Sequence, residues 1–200
     1  MSTILHIDSS LFGAEGQSGQ LSRQFVEKFV QAQTVDKVIY RDLVSKPIPH
    51  LTAESFQGFG LPDEERNEQQ KKIVQLSDEL IKELNEADVL VMGLPLYNFT
   101  MPSTLKTYFD HIARAGITFR YTEQGPKGLL QGKKAYILAA RGGVYHGTPM
   151  DTQTALIEHF LGFIGITDVE FIYAEGLAKG GDTRDVALDK AAERIDQLVA

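Results

Sequence analysis

The chain has 200 residues, 42% of them hydrophobic and 24% charged, with no low-complexity tract; that composition excludes a disordered chain and suits one domain with a full core. A formal charge of -7 with no Lys/Arg cluster argues against a nucleic-acid surface, and zero cysteines exclude disulfides, thiolate catalysis and iron–sulfur ligation. No stretch offers about 18 consecutive apolar residues, and the start "MSTILHIDSS" has no basic and apolar leader, so a cytoplasmic protein without membrane partners is expected.

In chain order, the first predicted strand is "TILHID" at 3–8. It runs into "SSLFGAEGQSGQLS" at 9–22, where Ser9, Ser10, Gln17, Ser18 and three glycines meet the start of a helix carrying Leu21, Phe25 and Phe29 at i, i+4 and i+8. Helix N-termini present free N–H groups and a positive dipole end, which suit a phosphate; the plainer reading is that Ser18 caps the helix. The loop is neither a Walker A sequence nor a GxGxxG dinucleotide fingerprint.

A second strand, "KVIYRDL" at 37–43, is followed by an aperiodic stretch at 45–67 with three prolines, read as a loop and a candidate lid. A helical stripe of Ile73, Leu76, Leu80 and Leu84 spans 67–86, and "DVLVMGL" at 88–94 is the third strand. Its exit, "PLYNFTMP" at 95–102, places Asn98 between Tyr97 and Phe99 and starts the next helix, with Leu105, Phe109 and Ile112, at Pro102. Stacking surface beside an amide that both donates and accepts suits a heteroaromatic ring, although single aromatics more often fill cores.

The fourth strand, "KAYILAA" at 134–140, opens into "ARGGVYHGTP" at 140–149, where Gly142 and Gly143 allow a ligand edge near the backbone and Arg141 offers a cation or faces water. A stripe of Leu156, Phe160 and Phe163, mostly core, precedes the fifth strand "DVEFIYAEG" at 168–176, a turn "EGLAKGGD" at 175–182, and a last helix at 183–199. Five alternating units predict an α/β fold, a doubly wound five-stranded parallel sheet of flavodoxin-like order 2-1-3-4-5, with ligands outside the carboxyl ends of the strands. Phosphate seat, aromatic slot and backbone donors together suit FMN. The five histidines form no HxH or HExxH pattern, so no metal is expected.

At these residues the sequence resembles the FMN-dependent NADH-azoreductases, also described as NADH:quinone oxidoreductases. The resemblance rests on "SS" at 9–10, "QSGQLS" at 17–22, "RDL" at 41–43, "PLYNF" at 95–99, "YFDHIARAGITFRYTEQGPKGLLQGKKA" at 108–135, "RGG" at 141–143 and "FLGFIGITDVEFIYAEG" at 160–176. It implies a single FMN-binding domain over residues 1–200, a homodimer, NADH as electron donor and a quinone or azo compound as acceptor in a two-electron ping-pong cycle. It also implies flavin contacts by Ser10, Gly16, Gln17 and Ser18, by Leu96, Tyr97, Asn98 and Phe99, and by Ala140, Arg141, Gly142 and Gly143. Phe99, Tyr121 and Phe163 would line a substrate slot that neither subunit completes alone, with Tyr121 serving the partner subunit's site, and no side chain would be catalytic because the cofactor carries the hydride. Relatives often read Ser-Gln-Ser and Met-Tyr-Asn-Phe where this chain has Gly16-Gln17-Ser18 and Leu96-Tyr97-Asn98-Phe99, and His146 stands outside the family pattern. A flavodoxin-type electron carrier, a general NAD(P)H:FMN reductase and a binding module without redox chemistry are the competing readings.

Overall fold

β-branched and aliphatic runs and amphipathic stripes alternate along residues 2–200, which the computed structural model describes, for Ala14 as backbone only. Strand β1 (Ser2–Asp8) is followed by helix α1 (Gln17–Ala32), β2 (Val35–Asp42), α2 (Ala53–Gly60), α3 (Glu68–Glu86), β3 (Val89–Pro95) and α4 (Ser103–Ile112). Then come β4 (Phe119–Thr122), β5 (Gly125–Gly128), β6 (Lys134–Arg141), α5 (Thr152–Ile164), β7 (Asp168–Glu175) and α6 (Gly181–Val199). The main sheet is parallel, in the order β2-β1-β3-β6-β7. With the β4–β5 hairpin set aside, that is the predicted order 2-1-3-4-5.

The central strands read as continuous apolar runs because helices cover both faces, and every residue of β3 is buried. Successive residues feed different cores. Leu5, Leu90 and Ile137 meet α3, α4 and α5 through Leu84, Phe109 and Leu161, whereas Ile4, Val91 and Leu138 meet α1 and α6 through Phe25 and Ile195. Pairing of β1 with β2 on one side and β3 on the other puts the topological switch point at the ends of β1 and β3, where β6 also terminates.

Two expectations are corrected and one element is new. Residues 45–67 are not an uninterrupted loop: Thr52 caps α2 by accepting from Ser55 N, and a 3-10 turn follows at Asp63–Glu65. The glycine-rich sequence hides this helix, but Gly58 packs on Gln70, where a larger residue would meet the Gln70 Cβ at 3.0 Å. The β4–β5 hairpin, four residues a strand, is too short to announce itself by alternation. On α5 the buried face is Gln153, Ile157, Leu161 and Ile164, while Leu156 is 41% exposed. This helix is apolar nearly all round, so periodicity alone does not pick its inner face. No helix among the described residues is long and apolar enough to cross a membrane.

Candidate functional site

A cleft of about 290 Å³ opens where β1, β3 and β6 end, walled by Ser10, Phe12, Gly16, Gln17, Ser18, Pro95, Leu96, Tyr97, Ala140, Arg141, Gly142, Leu177 and Ala178. Three loops far apart in sequence meet there because the strands that deliver them are adjacent.

On the β1 side, the first residue before α1 is Gly16, and no side chain caps the helix. Ser18 lies inside α1 rather than at its cap; its hydroxyl is buried and has no hydrogen-bond partner. An uncapped helix start plus an orphaned buried hydroxyl is a donor set awaiting an anion. Gly16 lies close to Ser10: a Cβ there would stand 2.0 Å from the Ser10 Oγ as placed, so a larger residue needs Ser10 to shift. Ser10 is itself buried, and its Oγ accepts from Phe12 N at 3.2 Å. This seat has the size and chemistry for a phosphate, so the residues present fit the phosphate end of FMN.

Beneath the seat lies a charge that the sequence did not flag. Asp8, 1% exposed, accepts from Ser22 Oγ at 2.8 Å and Tyr40 Oη at 2.9 Å, with His6 Nε2 3.4 Å away. Burial would raise its pKa, but the hydrogen bonds from His6, Ser22 and Tyr40 hold it below the ordinary carboxylate value. Burial and the Asp8 carboxylate push the Tyr40 hydroxyl up to about 12. Ser9 Oγ donates to Gly93 O at 2.8 Å and so ties the end of β1 to β3.

On the β3 side, Tyr97 and Thr100 exchange two backbone hydrogen bonds, each 3.0 Å, around Asn98 and Phe99. Both central residues have positive φ, 49° and 65°. That is a tight turn of the primed type, where glycine is the usual second central residue, and a left-handed Phe costs on the order of 1–3 kcal/mol. Tyr97 turns its hydroxyl back to the β1 loop, 3.4 Å from Ser10 Oγ and 3.3 Å from Leu11 N. Leu96 and Tyr97 wall the cleft, while Asn98 faces an adjoining hollow of about 520 Å³ that it shares with Tyr97, Leu11, His50, Met101 and Leu156. Phe99, 48% exposed, meets Tyr145 edge-on at 5.9 Å.

On the β6 side, Ala140, Arg141 and Gly142 wall the cleft and Gly143 does not. Gly143 lies under the Tyr145 ring, whose far end a Cβ would meet at 2.5 Å. Arg141 neither offers its cation to the cleft nor reaches water: at 1% exposure it pairs with Asp151 at 3.0 Å and Glu175 at 3.1 Å, donates to Gln153 and Thr154, and lies 4.9 Å over the Tyr173 ring. Burial alone would raise Asp151, but hydrogen bonds from Arg141 and Thr154 lower it to about 2. The turn after β7 contributes more than a turn, because Leu177 and Ala178 close the wall and Ala178 N donates to Gly142 O at 3.0 Å. Their position follows from the β6–β7 pairing and carries no signal of its own in sequence; Phe12 and Tyr145 were missed likewise.

Tyr121 and Phe163 lie outside this cleft. Both pack on Phe119, at 5.5 and 4.2 Å, and Tyr121 is 75% exposed. His146 is exposed and stacks on Tyr173 at 4.1 Å.

Comparison with known proteins adds three kinds of likeness. A family model described as a flavodoxin-like fold matches residues 2–199. The FMN-dependent NADH:quinone oxidoreductase of Cellvibrio japonicus is 50% identical over 200 residues, all of both chains. That of Azotobacter vinelandii is 46% identical over 198 residues, 99% of this chain and 100% of the relative. A crystal structure of an azoreductase from Bacillus anthracis superposes with a TM-score of 0.90 at 30% identity, covering 100% of this chain and 99% of that one.

Proposed function

The chain belongs to the family of FMN-dependent NADH:quinone oxidoreductases of flavodoxin-like fold, and from that premise we propose how its own residues serve the reaction. It is an enzyme that uses FMN and NADH; the acceptors are quinones, with azo compounds taken by the same slot. The observation that carries the site assignment is the buried, unpartnered Ser18 hydroxyl at the uncapped start of α1, inside the cleft.

Ser18, Gln17 and the first N–H groups of α1 hold the phosphate, with Ser10 and Gly16 shaping its seat. Leu96 and Tyr97 on one side, and Ala140, Arg141 and Gly142 on the other, wall the ring, with Asn98 and Phe99 on the turn beside it and Gly143 in the loop behind. Arg141 does so through its place in the wall, since its guanidinium is committed to Asp151 and Glu175. Bound FMN would supply a ring that accepts a hydride from NADH and passes the equivalent of a hydride on to the acceptor. The protein positions each partner in turn and shields the transfer from water. No side chain takes part covalently, and the proton that completes a hydroquinone comes from solvent. Asn98 offers an amide that can both donate to and accept from a ring edge, and the Phe99–Tyr145 pair forms an apolar rim.

The chain acts as one domain over residues 1–200, in the cytoplasm, as a homodimer. The homodimer is supported by Leu156, an exposed large apolar residue on α5, and by exposed Tyr121, which lies with Phe163 away from its own cleft and is free to meet a partner's. The test is direct. Purified protein should carry or take up FMN, bleach on NADH addition under anaerobic conditions and regain its yellow absorbance on adding a soluble quinone. A chain that binds FMN yet is not reduced by NADH would refute the assigned slot.

A further inference from the structure

The Asn98–Phe99 turn is held in an uncommon backbone state by a residue outside it. Gln153, the second residue of α5, is 0% exposed. Its Nε2 donates to Pro95 O at 2.9 Å and to Thr100 O at 3.3 Å, the two sides of the turn, and Thr152 Oγ1 donates to Phe99 O. Its Oε1 accepts from Arg141 Nε at 3.3 Å. A guanidinium can only donate, so the carboxamide has one orientation: carbonyl to Arg141, amine to the turn. Arg141 is in turn fixed by Asp151, Glu175 and Thr154. The amide thus links the exit of β3 to a rigid post on β6, and the turn it holds includes a phenylalanine at φ 65°, where glycine would rest unaided.

We infer that Gln153 is a positioning residue: it holds the left-handed Asn98–Phe99 turn in the shape that faces the flavin. The inference rests on the proposed flavin cleft, and it assigns Gln153 no contact with cofactor or substrate. It differs from an ordinary buried polar link in one respect. The demand for Gln153 should disappear when the turn no longer needs holding.

The test is a double-mutant cycle, Gln153→Met alone and with Phe99→Gly, with Gln153→Glu as a second variant that keeps the acceptor for Arg141 and loses the two donations. Two quantities are read: hydrogen exchange of the Tyr97 and Thr100 amides in the apoprotein, and the FMN dissociation constant from flavin fluorescence. In the wild-type background, both Gln153 variants should speed exchange at both amides and weaken FMN binding on the order of tenfold. In the Phe99→Gly background the same substitutions should change either by less than about threefold. Unchanged exchange, or equal losses in the two backgrounds, would overturn the inference. Exchange needs no flavin, so a chain that failed to bind FMN would overturn the flavin reading while the exchange data still decided whether Gln153 holds the turn.

Discussion

Ser18 and Arg141 were read from sequence as two polar groups at a ligand, and the structure separates their roles. The Ser18 hydroxyl has no partner among the described residues, so Ser18→Ala should remove nothing from the apoprotein and relieve a buried unsatisfied group. The expected result is an apoprotein melting temperature unchanged or slightly raised, with FMN bound on the order of tenfold more weakly. A parallel loss of both would mark Ser18 as structural. Arg141 behaves oppositely. Its counter-charges, Asp151 and Glu175, lie ten and 34 positions along the chain and become neighbours only through β6–β7 pairing and the start of α5, so no local pattern could reveal them. Because the folded Asp151 carboxyl is lowered to about 2 from an ordinary 3.8, its contribution is full above about pH 4 and is lost as pH falls toward 2. Asp151→Asn should therefore remove on the order of 1–2 kcal/mol at pH 7 and less at pH 2, measured by urea unfolding.

Elements were legible to the extent that one face was buried and the other wet. The five strands and the helices α1, α3, α4 and α6 follow their apolar spacing, and their ends fall near the predicted ones. What sequence concealed was structure held by distant partners. Segment 45–67 is fastened to α4: His111 donates from Nε2 to Pro49 O at 2.9 Å, and Arg114 sits 4.6 Å over the Phe59 ring. Neither contact has a local signature. The segment reaches the hollow beside Tyr97 through His50. His111 is fully buried, and its Nδ1 has no partner. Burial, with the nearby Arg114 guanidinium, lowers its pKa against the opposing pull of Pro49 O and Asp110. The folded state therefore resists protonating this ring, and stability present above about pH 6.5 declines as pH falls below it. Urea titrations between pH 7.5 and 5 should show a proton uptake on unfolding that His111→Gln reduces. An identical pH slope in both proteins would contradict this.

At the scale of the whole molecule, sheet order and the meeting of the loops were legible because alternating strands and helices with right-handed crossovers leave few sheet orders, of which the family resemblance favours 2-1-3-4-5. The outer surface was less legible, since an apolar residue facing water looks the same in sequence as one facing a core. Leu156 shows this: it continues a stripe yet stands 41% exposed beside the hollow that contains Asn98. If that face joins two copies, Leu156→Glu should shift the protein from dimer to monomer mass in sedimentation. NADH:quinone turnover should fall at least about tenfold while the phosphate seat keeps most of its FMN affinity, because burying an unpaired carboxylate against an apolar surface opposes association strongly. A monomeric wild-type protein would refute the reading.

The uncapped start of α1 has a further consequence for the life of the chain in a cell. A helix whose first donors can take an anion is stabilised further when that anion binds, and a ligand present at a hundred times its dissociation constant adds about 2.7 kcal/mol to the folded state. Folding margins of a few kcal/mol separate a protein that persists from one that proteases clear. Flavin scarcity would then lower the folded margin of the polypeptide as well as its activity.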